Sequence, residues 1–270
     1  MAEADLAWYV YCVIAAGEQP PFEDVRGVNA GYGIALTGDQ YLSAVVTQVS
    51  LDEFGEEPLK RNFEDMAWLE RTARLHQSVL DRALERSPAV VPMRLCTIFG
   101  DEEHLRGMLE RERDVLLGAL ERVRDHSEWS VKLLADPEAI DAAARAQSAA
   151  AAPKAAGGAG RAYLARKQAE RGLRERSREL VEVAQEQVHA RLQAEAEAVA
   201  LLPPQNRELS GRSGDMVLNA AYLVHRSRVE TFTGAVEELR HDPRQRELGL
   251  ELEVTGPWAP YNFVAAEQPA

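Results

Sequence analysis

The chain has 270 residues, 46% of them hydrophobic, and a formal net charge of −13 at pH 7. That composition is typical of a globular protein, and the length suffices for one large domain or two ordinary ones. The acidic balance argues against binding to nucleic acid or to an anionic membrane, since both need clustered Lys and Arg. The apolar runs are too short for a membrane span and no signal-peptide pattern is present, so we expect a soluble, cytoplasmic protein.

The N-terminal stretch predicts three strands. Residues 6–15 are apolar on both faces, as in a central strand. Residues 28–36 and 42–49 are two further strand-like runs. Residues 37–40 between them are a candidate hairpin turn, because Gly and Asp tolerate unusual backbone angles.

A helix is predicted next, with apolar residues recurring at helical spacing from 59 to 84. A strand at 90–99, a second helix capped by Asp101 and an alternating strand at 129–133 follow. A sheet covered by helices on one face accounts for this order. The sequence therefore predicts an α+β protein whose N-terminal domain, residues 1–146, is ferredoxin-like.

Residues 147–160 are mostly Ala and Gly, with one Pro and no large apolar side chain, which predicts a flexible linker and a domain boundary. Residues 161–204 are rich in helix formers and predict a long helical segment. This segment is either a straight arm or bent near Gly172. Residues 205–270 predict a smaller C-terminal α+β domain, with a continuously apolar strand at 216–224.

The C-terminal domain ends in a proline-braced aromatic tail. Residues 248–255 alternate as a half-buried strand, which we expect to stop at Gly256-Pro257. A second proline follows the tryptophan by two residues, so Trp258, Tyr261 and Phe263 lie on a stiff frame. Such a segment either clamps the terminus onto its own C-terminal domain or offers a rigid contact patch. We favour the clamp, with a destabilised C-terminal domain as the expected effect of Trp258→Ala.

No motif in the sequence indicates catalysis, and we predict no catalytic residue, metal site or cofactor. Histidines do not share metal-ligand spacing, and no hydrolase, zinc or dinucleotide fingerprint is present. His76 falls on an apolar helix stripe and is expected to be a core histidine, while residues 157–160 fit a linker better than a phosphate loop. Arg94, among apolar strand residues, is expected to be partly buried and paired with a carboxylate as a structural clamp.

The two cysteines, Cys12 and Cys96, both lie in apolar strand-like runs. We expect buried, reduced thiols. A disulfide would require the two strands to be neighbours.

Four segments, in order along the chain, resemble the gas vesicle protein F/L family (GvpF and GvpL). The last is Leu-Glu-Val-Thr-Gly-Pro-Trp-Ala-Pro-Tyr-Asn-Phe-Val, ending at Val264. The other three are residues 91–99, residues 160–164 with Arg166 and Lys167, and residues 216–224. One departure is Leu95-Cys96, where many relatives are expected to have Phe-Gly.

The resemblance implies the same fold and a non-enzymatic role in forming gas vesicles. Its implied partners are the major shell protein and other accessory proteins, and its implied location is the gas vesicle or the cytoplasm. The competing interpretation is a small-ligand-binding or enzymatic α+β module, since this kind of fold hosts many functions. A deep pocket with converging polar groups would favour that alternative, and a flat apolar patch would favour assembly.

Overall fold

The computed structural model describes residues 5–149, 159–204 and 214–264, which fall into two compact units. The first unit combines Met1–Glu128 with Pro257–Ala270, and the second is Trp129–Gly256. The predicted boundary at residues 147–160 therefore lies too late in the chain. The reason is that the strand containing Trp129 pairs into the second sheet and leaves the first. Most of the predicted linker lies outside the described residues.

The first unit is built on a four-stranded antiparallel sheet in the order β2-β3-β1-β4. An irregular segment, instead of a helix, connects β1 to β2, so the sheet has the ferredoxin-like strand order without the first crossover helix. Its elements are β1 (Leu6–Ala15), β2 (Ala35–Gly38), β3 (Leu42–Ser50), α1 (Leu51–Phe54), α2 (Glu56–Asn62), α3 (Met66–Arg86), β4 (Val91–Phe99), α4 (Glu102–Arg111) and α5 (Arg113–Arg122).

Strand β1 is central and buried on both faces, as its apolar run predicts. Tyr9 and Cys12 on one face, and Val10 and Val13 on the other, have no exposed surface. Strand β2 is much shorter than the predicted run of residues 28–36. Residues 28–34 form no strand. They contact the sheet in other ways, including a 2.8 Å hydrogen bond from the Val28 amide to the hydroxyl of Tyr11.

Helix α3 covers the face of the sheet that carries Tyr9. Its buried residues include Trp68, His76 and Leu80. The helix predicted from residue 59 onward is two helices, because Asp65 adopts an extended conformation and accepts hydrogen bonds from the amides of the next turn. A carboxylate in that position satisfies amides that have no partner inside the helix, which fixes where α3 begins.

The second unit has the complete β-α-β-β-α-β connectivity of a ferredoxin-like fold, with strand order β6-β7-β5-β8. The second unit therefore has the crossover helix that the first unit lacks. Its elements are β5 (His126–Ala135), α6 (Pro137–Ala149), α7 (Ala159–Gln193), β6 (Ala198–Leu201), β7 (Asp215–His225), a 3₁₀ turn (Arg226–Arg228), α8 (Val229–His241), α9 (Pro243–Glu247) and β8 (Leu250–Trp258).

The core of the second unit is an aromatic cluster between the sheet and helices α7 and α8. The ring of Phe232 lies 5.7 Å from that of Trp129 and 5.8 Å from that of Tyr222. Val188 and Leu192 of α7 pack into the same cluster and are fully buried. The predicted strand at residues 216–224 is confirmed as β7.

Helix α7 is continuous over 35 residues and does not end at Gly172. It stops earlier than the predicted segment 161–204, because residues 198–201 form strand β6 and pair antiparallel with β7. Sheet pairing there outweighs the helix propensity of Ala and Leu. None of the helices in the described ranges is both long enough and apolar enough to cross a bilayer.

Strand β8 continues through Gly256 and Pro257 to Trp258, contrary to the predicted stop. Because β8 is an edge strand, a proline without an amide hydrogen is tolerated in it. Gly256 has a φ of +147°, which residues with a side chain rarely adopt. The strand therefore carries the chain back to the first unit.

Candidate functional site

Residues 259–263, here called the tail anchor, pack against the first unit. Ala259 is 1% exposed and Phe263 is 8% exposed, and Ala259 belongs to the same core cluster as Tyr9. A guanidinium nitrogen of Arg122 donates a 3.1 Å hydrogen bond to the carbonyl of Phe263. The tail anchor thus belongs to the first unit, whereas the sequence pattern predicts it on the C-terminal domain.

Asn262 makes the most specific polar contact of the tail anchor. Its backbone amide donates to Oε2 of Glu128 at 2.9 Å, and its Nδ2 donates to Oε1 at 2.7 Å. Glu128 is 6% exposed, and burial raises its pKa while the two hydrogen bonds from Asn262 oppose that rise. A buried carboxylate with both oxygens occupied by one asparagine fixes the register of the tail.

A hydrogen-bonded chain links Tyr9, His76 and Tyr261. The hydroxyl of Tyr9 lies 2.8 Å from Nδ1 of His76, and Nε2 of His76 lies 3.1 Å from the hydroxyl of Tyr261. The Tyr261 hydroxyl donates to the carbonyl of Met93 at 3.3 Å, and the Tyr9 hydroxyl accepts from the amide of Cys96 at 3.2 Å. His76 is the satisfied core histidine that its position predicts.

These hydrogen bonds determine which ring nitrogen of His76 carries the proton. A carbonyl can only accept, so Tyr261 uses its single hydroxyl proton on Met93 and must accept from Nε2 of His76. In a neutral ring Nδ1 is then the acceptor, and Tyr9 donates to it. Burial lowers the pKa of His76 from 6.5 to about 4, which keeps the ring neutral near pH 7.

Strand β4 has a bulge next to the hydrogen-bonded chain of Tyr9, His76 and Tyr261. Val10 pairs with Thr97 while Cys12 pairs with Pro92, so residues 93–96 lie opposite Tyr11 alone. Cys96 has a φ of +61°, the left-handed region that favours glycine. The departure from Phe-Gly noted in the sequence therefore falls on the residue that carries this strained conformation, and it affects backbone strain as well as packing.

The two cysteines are free thiols, although β1 and β4 are neighbours. Cys12 is fully buried and Cys96 is half-buried. Burial raises the pKa of Cys96 to about 11. Both thiols are therefore protonated and poorly nucleophilic at neutral pH.

The four residues singled out in the sequence do not form one site. Phe263 is buried and Tyr261 is anchored by its hydroxyl, whereas Trp258 is 37% exposed at the end of β8. Arg94 is exposed on the β4 bulge, contrary to the expected partial burial. Within the described ranges its guanidinium has no ion pair, because the bulge turns residues 93–96 away from regular strand geometry.

Glu128 and Arg122 are missed by the sequence reasoning. Glu128 immediately precedes the alternating run that begins at Trp129, and it alternates with Ser130 and Lys132, so the strand pattern assigns it to the polar face. Arg122 is the last residue of helix α5, where a solvated cation is common, so the sequence does not indicate its contact with Phe263. Neither residue has a partner that lies nearby in sequence.

An open cleft of about 630 Å³ lies beside the β2–β3 turn in the first unit. Two of its arginines are in ion pairs: Arg113 lies 3.1 Å from Asp39, and Arg106 lies 2.7 Å from Glu102 at the rim. Among residues 5–149, 159–204 and 214–264, no group of three or more His, Cys, Asp or Glu side chains is placed to hold a metal ion. The cleft offers charge pairs, without a nucleophile and base in contact.

Comparison with known proteins gives one consistent family. The sequence profile of the family described as "Gas vesicle synthesis protein GvpL/GvpF" matches residues 7–265. The chain is 36% identical to gas vesicle protein L of a Streptomyces species over 259 residues, covering 96% of this chain and 93% of the relative. It is 26% identical to gas vesicle protein F of Haloferax mediterranei over 261 residues, covering 95% and 92%.

Two crystal structures share the fold. Gas vesicle protein GvpF from Anabaena superposes with a TM-score of 0.67 at 17% identity, over 97% of this chain and 98% of that one. GvpF from Microcystis aeruginosa gives a TM-score of 0.64 at 17% identity, over 96% and 99%. At this identity the likeness speaks for the fold, and it extends over both units.

Proposed function

The chain belongs to the GvpL/GvpF family of gas vesicle synthesis proteins, and from that premise we propose that it is a non-enzymatic accessory protein of gas vesicle assembly. It binds the major shell protein and other accessory proteins, and it is a minor component of the vesicle. It works in the cytoplasm and on the gas vesicle. The observation that carries this proposal is the family match across nearly the whole chain.

The candidate contact for the shell protein is the surface around Trp258. Residues 259–263, directly after Trp258, are fixed by hydrogen bonds and by apolar packing. The backbone that presents the indole is therefore stiff. A half-exposed aromatic ring on a stiff frame loses little side-chain entropy on binding. An apolar shell protein is a suitable partner for such a ring, and aromatic residues dominate binding energy at interfaces.

Co-expression with the major shell protein, followed by affinity pull-down, tests the proposal. We expect the shell protein to be enriched over an unrelated acidic protein of similar size. Trp258→Ala should lose most of that enrichment, whereas Tyr41→Ala, which removes another exposed ring of the first unit, should keep it. Absence of enrichment with the wild-type protein would refute shell-protein binding.

Isolated gas vesicles provide the test of location. Antibody detection of this protein in vesicles, before and after washing with urea, separates a tightly held component from a passing one. We expect the protein to be retained on washed vesicles in small amounts relative to shell protein. Complete absence from unwashed vesicles would restrict its role to the cytoplasm.

A further inference from the structure

The N-terminal half of α7 carries a basic stripe in an otherwise acidic chain. Residues 166–178 contain six basic and two acidic side chains. Four of the basic ones recur at i, i+4, i+7 and i+11, which places them on one helix face about 16 Å long. All four are exposed, namely Lys167, Arg171, Arg174 and Arg178.

The stripe is not neutralised by its own helix. Arg171 pairs with Glu175 at 3.0 Å. In the described part of the chain, Lys167, Arg174 and Arg178 form no ion pair. Three of the four cations on this helix face are therefore available for an acidic partner.

A complementary surface lies on the first unit, in residues 51–70, here called the acidic patch. This segment contains seven acidic and two basic side chains. It also exposes three large apolar side chains: Leu51 at 37%, Phe63 at 44% and Met66 at 72%. Apolar side chains surrounded by charged ones are typical of a protein interaction surface.

The acidic patch is held rigidly. Trp68 donates from its indole nitrogen to Oε1 of Glu53 at 2.7 Å, and Asn62 donates to the carbonyl of Glu53 at 3.0 Å. The ring of Phe63 packs edge-on against that of Trp68 with centroids 6.2 Å apart. Helices α1, α2 and the start of α3 thus present Phe63 and Met66 on a fixed support, which limits the entropy lost on binding.

We propose that the basic stripe of one copy docks on the acidic patch of a second copy. Charge complementarity carries the choice of partner: residues 166–178 sum to +4 and residues 51–70 sum to −5, and every copy carries both surfaces. The exposed apolar side chains of the patch supply burial, and the charges set orientation. The proposal is independent of the role in gas vesicle assembly.

The two surfaces differ, so the contact is heterologous. A head-to-tail contact between unlike surfaces generates rings or open rows instead of a closed two-fold dimer. Each copy has a net charge of −13, so long-range repulsion opposes association. At physiological ionic strength the Debye length is about 8 Å, which screens that repulsion more than it screens charges in contact.

Charge reversal on each surface tests the proposal by analytical ultracentrifugation over roughly 1–300 µM protein. The stripe variant combines Lys167→Glu with Arg174→Glu, and the patch variant combines Glu56→Lys with Glu64→Lys. We expect wild type to show a sedimentation coefficient that rises with concentration, and each variant alone to associate at least about tenfold more weakly. Mixing the two variants should restore association, because each then meets a surface of opposite charge.

A control variant reverses Arg244 and Arg246 of α9, two exposed cations outside the stripe, and should associate like wild type. Thermal melting confirms that each variant folds. A wild type that remains monomeric over this range overturns the proposal. So does a variant mixture that stays monomeric, or a control variant that loses association as strongly as the stripe variant.

Discussion

The carboxylate of Glu128 is held by Asn262, with both its oxygens accepting hydrogen bonds at 2.9 and 2.7 Å from the backbone and side-chain nitrogens of that one residue. The two residues are 134 positions apart in the chain. Glu128 is the last residue of the N-terminal segment of the first unit, so this contact joins its two segments at that point.

Replacing this carboxylate should weaken the first unit. In Glu128→Gln the negative charge that both nitrogens of Asn262 bind is lost and their hydrogen bonds are no longer charge-assisted, so we expect a loss of about 1–3 kcal/mol in the free energy of unfolding. Urea unfolding at pH 7.5 measures it. Glu121→Gln is the matched control, since that side chain is 74% exposed and pairs with Arg124. Equal effects of the two variants would contradict the anchoring role of Glu128.

The neutral His76 should make stability fall in acid. Folded His76 has a pKa of about 4 and the unfolded residue one of 6.5, so the unfolded chain binds more protons between these values. Stability is therefore complete above pH 6.5 and decreases as the pH falls towards 4, by roughly 2–4 kcal/mol from this residue.

The pH dependence of the unfolding free energy in His76→Gln isolates this contribution from that of other acidic groups. The variant should lose part of the wild-type slope between pH 6.5 and 4.5. His104→Gln, which removes a histidine that is 77% exposed, should keep the wild-type slope. A wild-type slope in His76→Gln would show that the ring does not titrate as its burial requires.

Cys96 should reverse the usual order of alanine and glycine. Elsewhere alanine is the better residue, because glycine is more disordered in the unfolded chain. With φ at +61°, alanine at position 96 retains the left-handed strain and glycine does not. We expect Cys96→Gly to be more stable than Cys96→Ala by about 1 kcal/mol in chemical denaturation. The opposite order would mean that the bulge relaxes when the thiol is removed.

The two aromatic side chains of the tail should differ in what they contribute. Phe263 is 8% exposed, so Phe263→Ala should lower the free energy of unfolding by about 3–5 kcal/mol. Trp258 is 37% exposed, and Trp258→Ala should cost about 1 kcal/mol or less, well below what the sequence alone suggests. Thermal melting of both variants compares them, and a larger loss for Trp258 would make its ring part of the folded core.

Local patterns identified the features whose partners are close in sequence. The apolar run around Tyr9 and Val10 is a central strand, and Asp101 caps its helix with a 2.8 Å hydrogen bond to the His104 amide. His76 is a core residue because helical spacing places it among apolar neighbours. Such features follow from periodicity and capping, which act over a few residues.

The missed features depend on contacts between distant residues. The sequence around Asn262 does not indicate that its side chain donates a hydrogen bond to Glu128. The sequence around Ala198 does not indicate that it pairs with β7. Propensity favours a helix at Ala198, and the sheet overrides it. At Cys96 a signal was present: a position where relatives are expected to have glycine indicates a positive φ.

The division of the first unit between two chain segments affects how the protein is made. A ribosome synthesises Glu128 long before Asn262, and residues 129–256 emerge between them. Domains usually fold in the order of synthesis. Here the N-terminal unit cannot bury Phe263 or satisfy Glu128 until the other unit has been translated, so a nascent chain that stalls before residue 257 leaves the anchor site open. The first unit can therefore be completed only after the second unit has been translated.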